Sequence, residues 1–307
     1  MVPSLRHPDG ASASVIDRIA GNVINELSMM RGILGESASR HDFDLLDRSA
    51  LASLSRIEEG IRQGRSMPWV KVNHCPGNRA VAPVDRQVRL GVFPISGNPL
   101  HWVHLLGGLI AMETFSLDKV LYVIAGSDSR KPDLAPAAAR HAMAKSLLGL
   151  FRPLFEYSPI ALGGSRSGEE NLFRILGMNP RQPIHAFYIA GSDHYRRYRP
   201  MTENPDTIQK LEDGIAREGR GAADRGHRVS AVFLERERVV EQIPASLEVL
   251  WVRGLPVRTS STGIRQALSD QGQRRDLYTL PFSAYMTIRG NRLYNTGSLA
   301  GVSPSAL

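Results

Sequence analysis

Val88-Arg89-Leu90-Gly91-Val92-Phe93-Pro94-Ile95-Ser96-Gly97-Asn98-Pro99-Leu100-His101-Trp102-Val103-His104 passes from an apolar run, through a loop punctuated by Gly and Pro, into a helical pattern. Val88 to Phe93 reads as a buried strand and Pro94 to Pro99 as a tight loop. From Trp102 the apolar residues Leu105, Leu106, Leu109 and Met112 recur at helical spacing, which sets His101 and His104 at the loop-to-helix junction on one face. A helix start offers N–H groups and a partial positive charge, and imidazoles at its mouth add directional donors for an oxyanion. Phosphate binding, and hence nucleotide chemistry, is the expectation.

The same texture continues downstream. Short β-rich runs (Val120 to Ile124, Ile184 to Ile189, Val229 to Leu234, Leu247 to Val252) alternate with helical patterns such as Leu105 to Phe115 and Ala135 to Leu150. That alternation predicts an α/β fold, a doubly wound parallel sheet with helices on both faces and its site beyond the carboxyl ends of the strands. Upstream, apolar positions at Ile16, Ile19, Val23, Ile24 and Leu27, then at Leu45, Leu46, Leu51, Leu54 and Ile57, predict a helical hairpin turning over Gly35 to His41. Pro68 to Asp85 reads as a linker. Residues 1–85 are therefore expected to form a helical extension and linker, and residues 86–307 the main domain.

Composition narrows the partners. The 307 residues are 42% hydrophobic and 22% charged, as in an ordinary globular protein with one substantial core. No apolar run approaches the roughly 20 residues of a membrane span, and Met1 to Ala20 lacks the apolar segment of a secretory signal, so a cytoplasmic location without membrane association is expected. Cys75 is the single cysteine and excludes an internal disulfide; with His74 it falls short of a metal set, so a structural role is favoured. A net charge of +8 favours anionic partners. The arginine clusters (Arg196, Arg197 and Arg199; Arg217, Arg220, Arg225 and Arg228; Arg274 and Arg275) lack the interleaved aromatics of an RNA-binding sheet. They read as solvated faces, and nucleic acid is not expected.

Three further segments carry chemistry. Thr259-Ser260-Ser261-Thr262-Gly263-Ile264-Arg265 follows the last strand and opens a helix; capping needs one hydroxyl, whereas several with an arginine one turn in make a phosphate cradle. Gly191-Ser192-Asp193-His194-Tyr195 follows the strand from Ile184, where the residues suit either a plain turn or a carboxylate held toward ribose hydroxyls. Ser127 to Pro132 follows the strand ending at Ile124, and Lys131 is a surface charge unless that loop borders the nucleotide.

In this order these segments resemble the nucleotidylyltransferase superfamily, through its HxGH-type motif at His101-Trp102-Val103-His104 and its SSTxIR-type motif at Ser260 to Arg265. The likeness is greatest to nicotinate or nicotinamide mononucleotide adenylyltransferases. It includes the Gly191-Ser192-Asp193 turn and the C-terminal pattern from Leu280-Pro281-Phe282-Ser283-Ala284-Tyr285-Met286 through Leu293-Tyr294, and it covers about Arg86 to Tyr294. The resemblance implies a Rossmann-like sheet and attack of a mononucleotide phosphate on the α-phosphate of ATP, with Mg2+ accompanying ATP. It implies His101 and His104 on the ATP phosphates, with His104 at the α-phosphate. Ser261, Thr262 and Arg265 would hold the departing phosphates with Lys131 assisting, and Ser260 and Ile264 complete that part of the ATP site. Gly191 and Asp193 would meet the ribose. Ile95, Ser96 and Asn98 would line the junction of the two nucleotides, with Trp102, Val103 and Tyr195 on the acceptor side and Trp102 or Tyr195 stacking on its base.

One residue departs from the pattern. Val103 stands where the family has glycine, and the added side chain is expected to reshape the acceptor site, so that Val103→Gly changes substrate preference or rate. Two other functions fit the same motifs: cytidylyl or adenylyl transfer to a different phosphate-bearing acceptor, and a nucleotide sensor using the N-terminal helices as a partner surface. Those helices could equally join two copies of the chain.

Overall fold

The computed structural model describes residues 9–35, 39–78, 81–127, 131, 133–195, 207–224, 226–235, 245–257, 259–269 and 274–294. Arg196, Arg197, Arg199 and Arg225 of the arginine clusters lie outside these residues. In chain order the elements are α1 (Asp9–Leu34), α2 (Arg40–Arg62), β1 (Val88–Ile95), α3 (Trp102–Phe115), β2 (Lys119–Ile124), α4 (Ala137–Gly149), β3 (Phe155–Ser158), α5 (Gly168–Gly177), β4 (Ile184–Gly191), α6 (Thr207–Asp224), β5 (Arg228–Leu234), β6 (Glu248–Val252), α7 (Ser261–Leu268) and α8 (Phe282–Gly290).

The six strands form one parallel sheet in the order β3-β2-β1-β4-β5-β6. Alternate side chains enter two separate cores. Phe93, Phe187, Ile189, Val232 and Leu234 join α3, α4 and α8 on one face, while Leu90, Val92, Ala186, Tyr188 and Phe233 join α5 and α6 on the other. A strand buried on both faces has no polar alternation, which is why Val88 to Ile95 and Ile184 to Gly191 read as nearly unbroken apolar runs. The expected doubly wound α/β sheet with an N-terminal helical region is what the chain forms.

The hairpin lies on the chain's own core. Ile16, Ile19, Val23, Leu27 and Met30 of α1, with Phe43, Leu46, Ala50, Leu54 and Ile57 of α2, are buried in the same cluster as α3 and α8. Most of the apolar positions read from periodicity are thus covered within one chain, although Ile24 stays exposed. Polar contacts add to this: Asn22 Nδ2 donates to Leu150 O (2.8 Å), and Glu26 accepts from Ser283 N (2.9 Å) and Oγ (3.1 Å) at the start of α8. Glu26 thus caps a helix 257 residues away, although burial pushes its carboxyl pKa up.

Sequence periodicity does not predict β3, which is four residues long and carries a glutamate. Its pairing with β2 and its ion pairs place it. Glu156 lies 3.2 Å from the buried Lys119 Nζ and 3.4 Å from His74 Nε2. Burial alone would push the Glu156 carboxyl up; the hydrogen bond from His74 and the Lys119 charge outweigh it and hold the group at about 2. A carboxyl depressed by folding stabilises the native state above its unfolded pKa and loses that contribution as pH falls through its folded one. Stability is therefore expected to fall by on the order of 2 kcal/mol as pH drops from about 4.5 toward 2. Denaturant melts across that window should show a shallower fall for Glu156→Gln; an unchanged slope would remove Glu156 as the source.

Candidate active site

Connections run one way from β1 through β2 to β3 and the other way from β4 to β6, so the sheet reverses between β1 and β4. A crevice opens outside the carboxyl ends at such a switch point. Ser96 and Asn98 follow the β1 end, whose last residue Ile95 is buried in the core, and Ser192 and Asp193 follow Gly191 at the β4 end. Gly97, with φ +60°, makes the left-handed turn that other residues adopt only at a cost.

His101 is the N-cap of α3, in extended conformation. Its backbone N–H donates to His104 Nδ1 (3.4 Å), and the two imidazole centroids are 3.9 Å apart. A donor at Nδ1 leaves the ring proton of His104 on Nε2, so this imidazole presents an N–H at its far edge. Tyr122 O–H holds His104 O (3.0 Å) from β2. The i, i+3 spacing thus yields a paired, buried histidine unit.

The second motif docks directly on this loop. Ser260 caps α7 by accepting from Gly263 N (3.1 Å). Ser261 Oγ donates to Pro99 O (3.3 Å), and Arg265 donates from Nη1 to Asn98 O (2.9 Å) and from Nη2 to Thr262 Oγ1 (3.3 Å). Segments more than 160 residues apart in sequence therefore present imidazoles, hydroxyls and a guanidinium together. At the β4 end Gly191 pairs with Leu234 of β5, and Asp193 is exposed in the following 3-10 turn with Oδ2 3.8 Å from His194 Nε2. Lys131 is exposed between β2 and α4; Asp128 to Arg130 and Pro132 lie outside the described residues.

Five of the expected site residues are held in packing or hydrogen-bond contacts within the chain. Trp102 is wholly buried, edge-on to Phe151 at 6.3 Å, so the core takes the ring that was expected to stack on a base. Tyr195 is buried with Phe233 and Trp251 each 5.0 Å from its ring in T-shaped contact, so its ring is part of an aromatic cluster in the core. Ile264 points its side chain into the core and uses its N–H on Ser260 O within the helix. Asn98 is buried with its amide engaged: Oδ1 accepts from Ala135 N (3.0 Å) and Tyr294 Oη (2.7 Å), and Nδ2 donates to Asp133 O (3.2 Å). It is a strut between segments. Val103 is also buried, in the core beneath α3. The expected result of Val103→Gly thus becomes a loss of about 2 kcal/mol of stability, from lost apolar burial and glycine's helix penalty. Chemical denaturation checks this; a variant as stable as wild type would contradict the burial.

Sequence reading places Arg140 only within a helical pattern. It is almost completely buried, donating from Nε to Ala135 O (2.8 Å), from Nη1 to Ser96 O and Ala125 O (both 2.6 Å) and from Nη2 to Gly126 O. It ties the β1 and β2 ends to the start of α4. The available signal is an arginine in register with Ala144 and Leu147, buried positions one and two turns on. Gly126 completes the junction, since a Cβ there would collide with the carbonyls of Ala161 and Gly164.

No family model matches the chain. Two curated relatives, probable nicotinate-nucleotide adenylyltransferases from two strains of Thermus thermophilus, are each 35% identical over 112 residues, 36% of this chain and 58% of theirs. The chain thus matches 58% of the length of these relatives. A protein of the same name from Thermoanaerobacter sp. strain X514 is 25% identical over 227 residues, 71% of this chain and 100% of that one. The solved Plasmodium falciparum nicotinic acid mononucleotide adenylyltransferase complexed with NaAD superposes with a TM-score of 0.49 at 13% identity, over 68% of this chain and 98% of that one. The chain is thus similar in sequence to proteins named probable nicotinate-nucleotide adenylyltransferases.

Proposed function

We propose that the protein transfers the adenylyl group of ATP to the phosphate of nicotinate mononucleotide, forming the pyridine dinucleotide and pyrophosphate. A phosphate oxygen of the mononucleotide forms the new bond to the α-phosphorus of ATP while the bond to the α,β-bridging oxygen breaks, and the electron pair leaves with pyrophosphate. No enzyme-bound covalent intermediate is needed. The chain's task is to align the two phosphates and neutralise the charge between them.

The observation that carries this reading is the contact of Arg265 with Asn98 O and of Ser261 with Pro99 O, which joins the two phosphate motifs in one place. The names of the curated relatives support the acceptor. In this assignment His101 and His104 act at the α-phosphate, where His104 Nε2–H meets developing charge. Ser261, Thr262 and Arg265, with Lys131, hold the departing phosphates. Asp193 and the Gly191 turn receive the ribose, and Ser96 lies at the junction of the two nucleotides. Magnesium would enter with ATP: among the described residues no group of three or more His, Cys, Asp or Glu could hold a metal ion, and Mg2+ at nucleotide sites takes most of its oxygens from phosphates and water. The ion supplies charge neutralisation on the phosphates when bound.

The test is the mass of the product after incubation with ATP, Mg2+ and either nicotinate or nicotinamide mononucleotide. Deamido-dinucleotide with release of pyrophosphate is the expected result. Turnover only with other phosphate-bearing acceptors would replace the acceptor, and ATP binding without turnover would favour the sensor function.

A further inference from the structure

We infer that Tyr294, delivered from the C-terminal segment after α8, is a positioning residue that clamps the double-histidine loop and, through it, Arg265. The inference rests on the adenylyl-transfer reading above and concerns a residue outside its phosphate-binding set.

Asn98 is the point of convergence. Its Oδ1 accepts from Tyr294 Oη at 2.7 Å and from Ala135 N at 3.0 Å, its Nδ2 donates to Asp133 O, and its main-chain oxygen accepts from Arg265 Nη1. The loop that ends at His101, the approach to α4, the α7 arginine and the C-terminal segment therefore meet on one buried asparagine, the arginine at its main-chain oxygen and the others at its side-chain amide. The hydroxyl of Tyr294 makes the shortest of these bonds and comes from the segment most distant in sequence, 196 residues away.

The backbone at Tyr294 adds a second observation. Its φ is +62°, in the left-handed region that costs a bulky residue roughly 1 kcal/mol or more and persists where the surroundings over-determine the conformation. The Asn98 bond is a contact that such a conformation serves. α8, which leads into this segment, is itself held by Glu26 of α1 and by the buried Ala284, Tyr285 and Ile288. Burial pushes the Tyr294 phenol up to about 12, against the nearby charges of Arg265 and Arg140, so the hydroxyl remains a donor near neutral pH.

The consequence is geometric. Arg265 grips Asn98 O, so a loop free to move would carry the guanidinium out of line with the histidines, and that alignment matters most where charge develops. Tyr294→Phe removes one oxygen and leaves the ring to fill its space. Two measurements test the clamp. In hydrogen exchange, amides of residues 98–104 should exchange about tenfold faster in Tyr294→Phe, with the β4–β5 amides unchanged. In steady-state kinetics, Tyr294→Phe should lower kcat about tenfold with the KM for ATP within twofold. Combined with Arg265→Ala it should add less than threefold to the loss that Arg265→Ala causes alone. Unchanged exchange in 98–104, an unaltered kcat in Tyr294→Phe, or independent multiplication of the two losses would each overturn the clamp. A wild-type protein that makes no dinucleotide would instead overturn the adenylyl-transfer reading, and the exchange measurement would still decide whether the loop is clamped.

Discussion

His104→Ala is expected to lower turnover by about 100- to 1000-fold, the range for losing a preorganised donor at developing charge. The fold should survive. The Tyr122 bond to this residue ends on the backbone oxygen of His104, which alanine retains, and alanine is the stronger helix former. What disappears is the ring that accepts from His101 N and packs 3.9 Å from its imidazole. That loses a helix-start contact of about 0.5–1 kcal/mol and the Nε2–H proposed at the α-phosphate. Steady-state kinetics beside a far-UV melt separates the two effects. A folded variant with wild-type kcat would remove His104 from the phosphate site.

Arg140→Met should produce the largest loss of stability, about 3–5 kcal/mol, the range for breaking a buried charged network. Methionine retains much of the aliphatic stem but leaves the carbonyls of Ser96, Ala125, Gly126 and Ala135 without the guanidinium that joins them. Burial already lowers the pKa of this arginine, so the charge is held at a desolvation cost that its carbonyl partners offset. Because Ser96 precedes the double-histidine loop, turnover should fall too, even under conditions that keep the variant folded. Urea unfolding measures the first effect and kcat at low temperature the second. A variant within about 1 kcal/mol of wild type would show that these carbonyls find other donors or water.

Legibility in the sequence followed burial geometry. β1 and β4 were readable because a strand covered on both faces is apolar throughout, and α1 and α2 because one buried face leaves a 3.6-residue period. β3 was not readable: with four residues and a glutamate paired to Lys119 and His74, it owes its place to pairing with β2. The grouping of His101 with His104, and of Ser260 with Arg265, was legible because each set lies within about a turn of a helix start. Trp102, Val103, Tyr195, Asn98 and Ile264 sit in or beside the same motifs, yet the first three and Ile264 have buried side chains in the core and Asn98 serves as a strut. Motif membership does not state which way a side chain points.

By itself, then, the sequence determined the alternation of strands and helices, the hairpin before them and the two helix-start motifs, because each is set by periodicity and by neighbours within a turn or two. Tertiary structure alone decided that α7 docks on the double-histidine loop, that Arg140 ties the strand ends, that Glu26 caps α8 and that Tyr294 reaches Asn98. Those contacts join residues far apart in the chain, and their partners are largely backbone atoms or an amide, which every sequence contains and only a fold brings together.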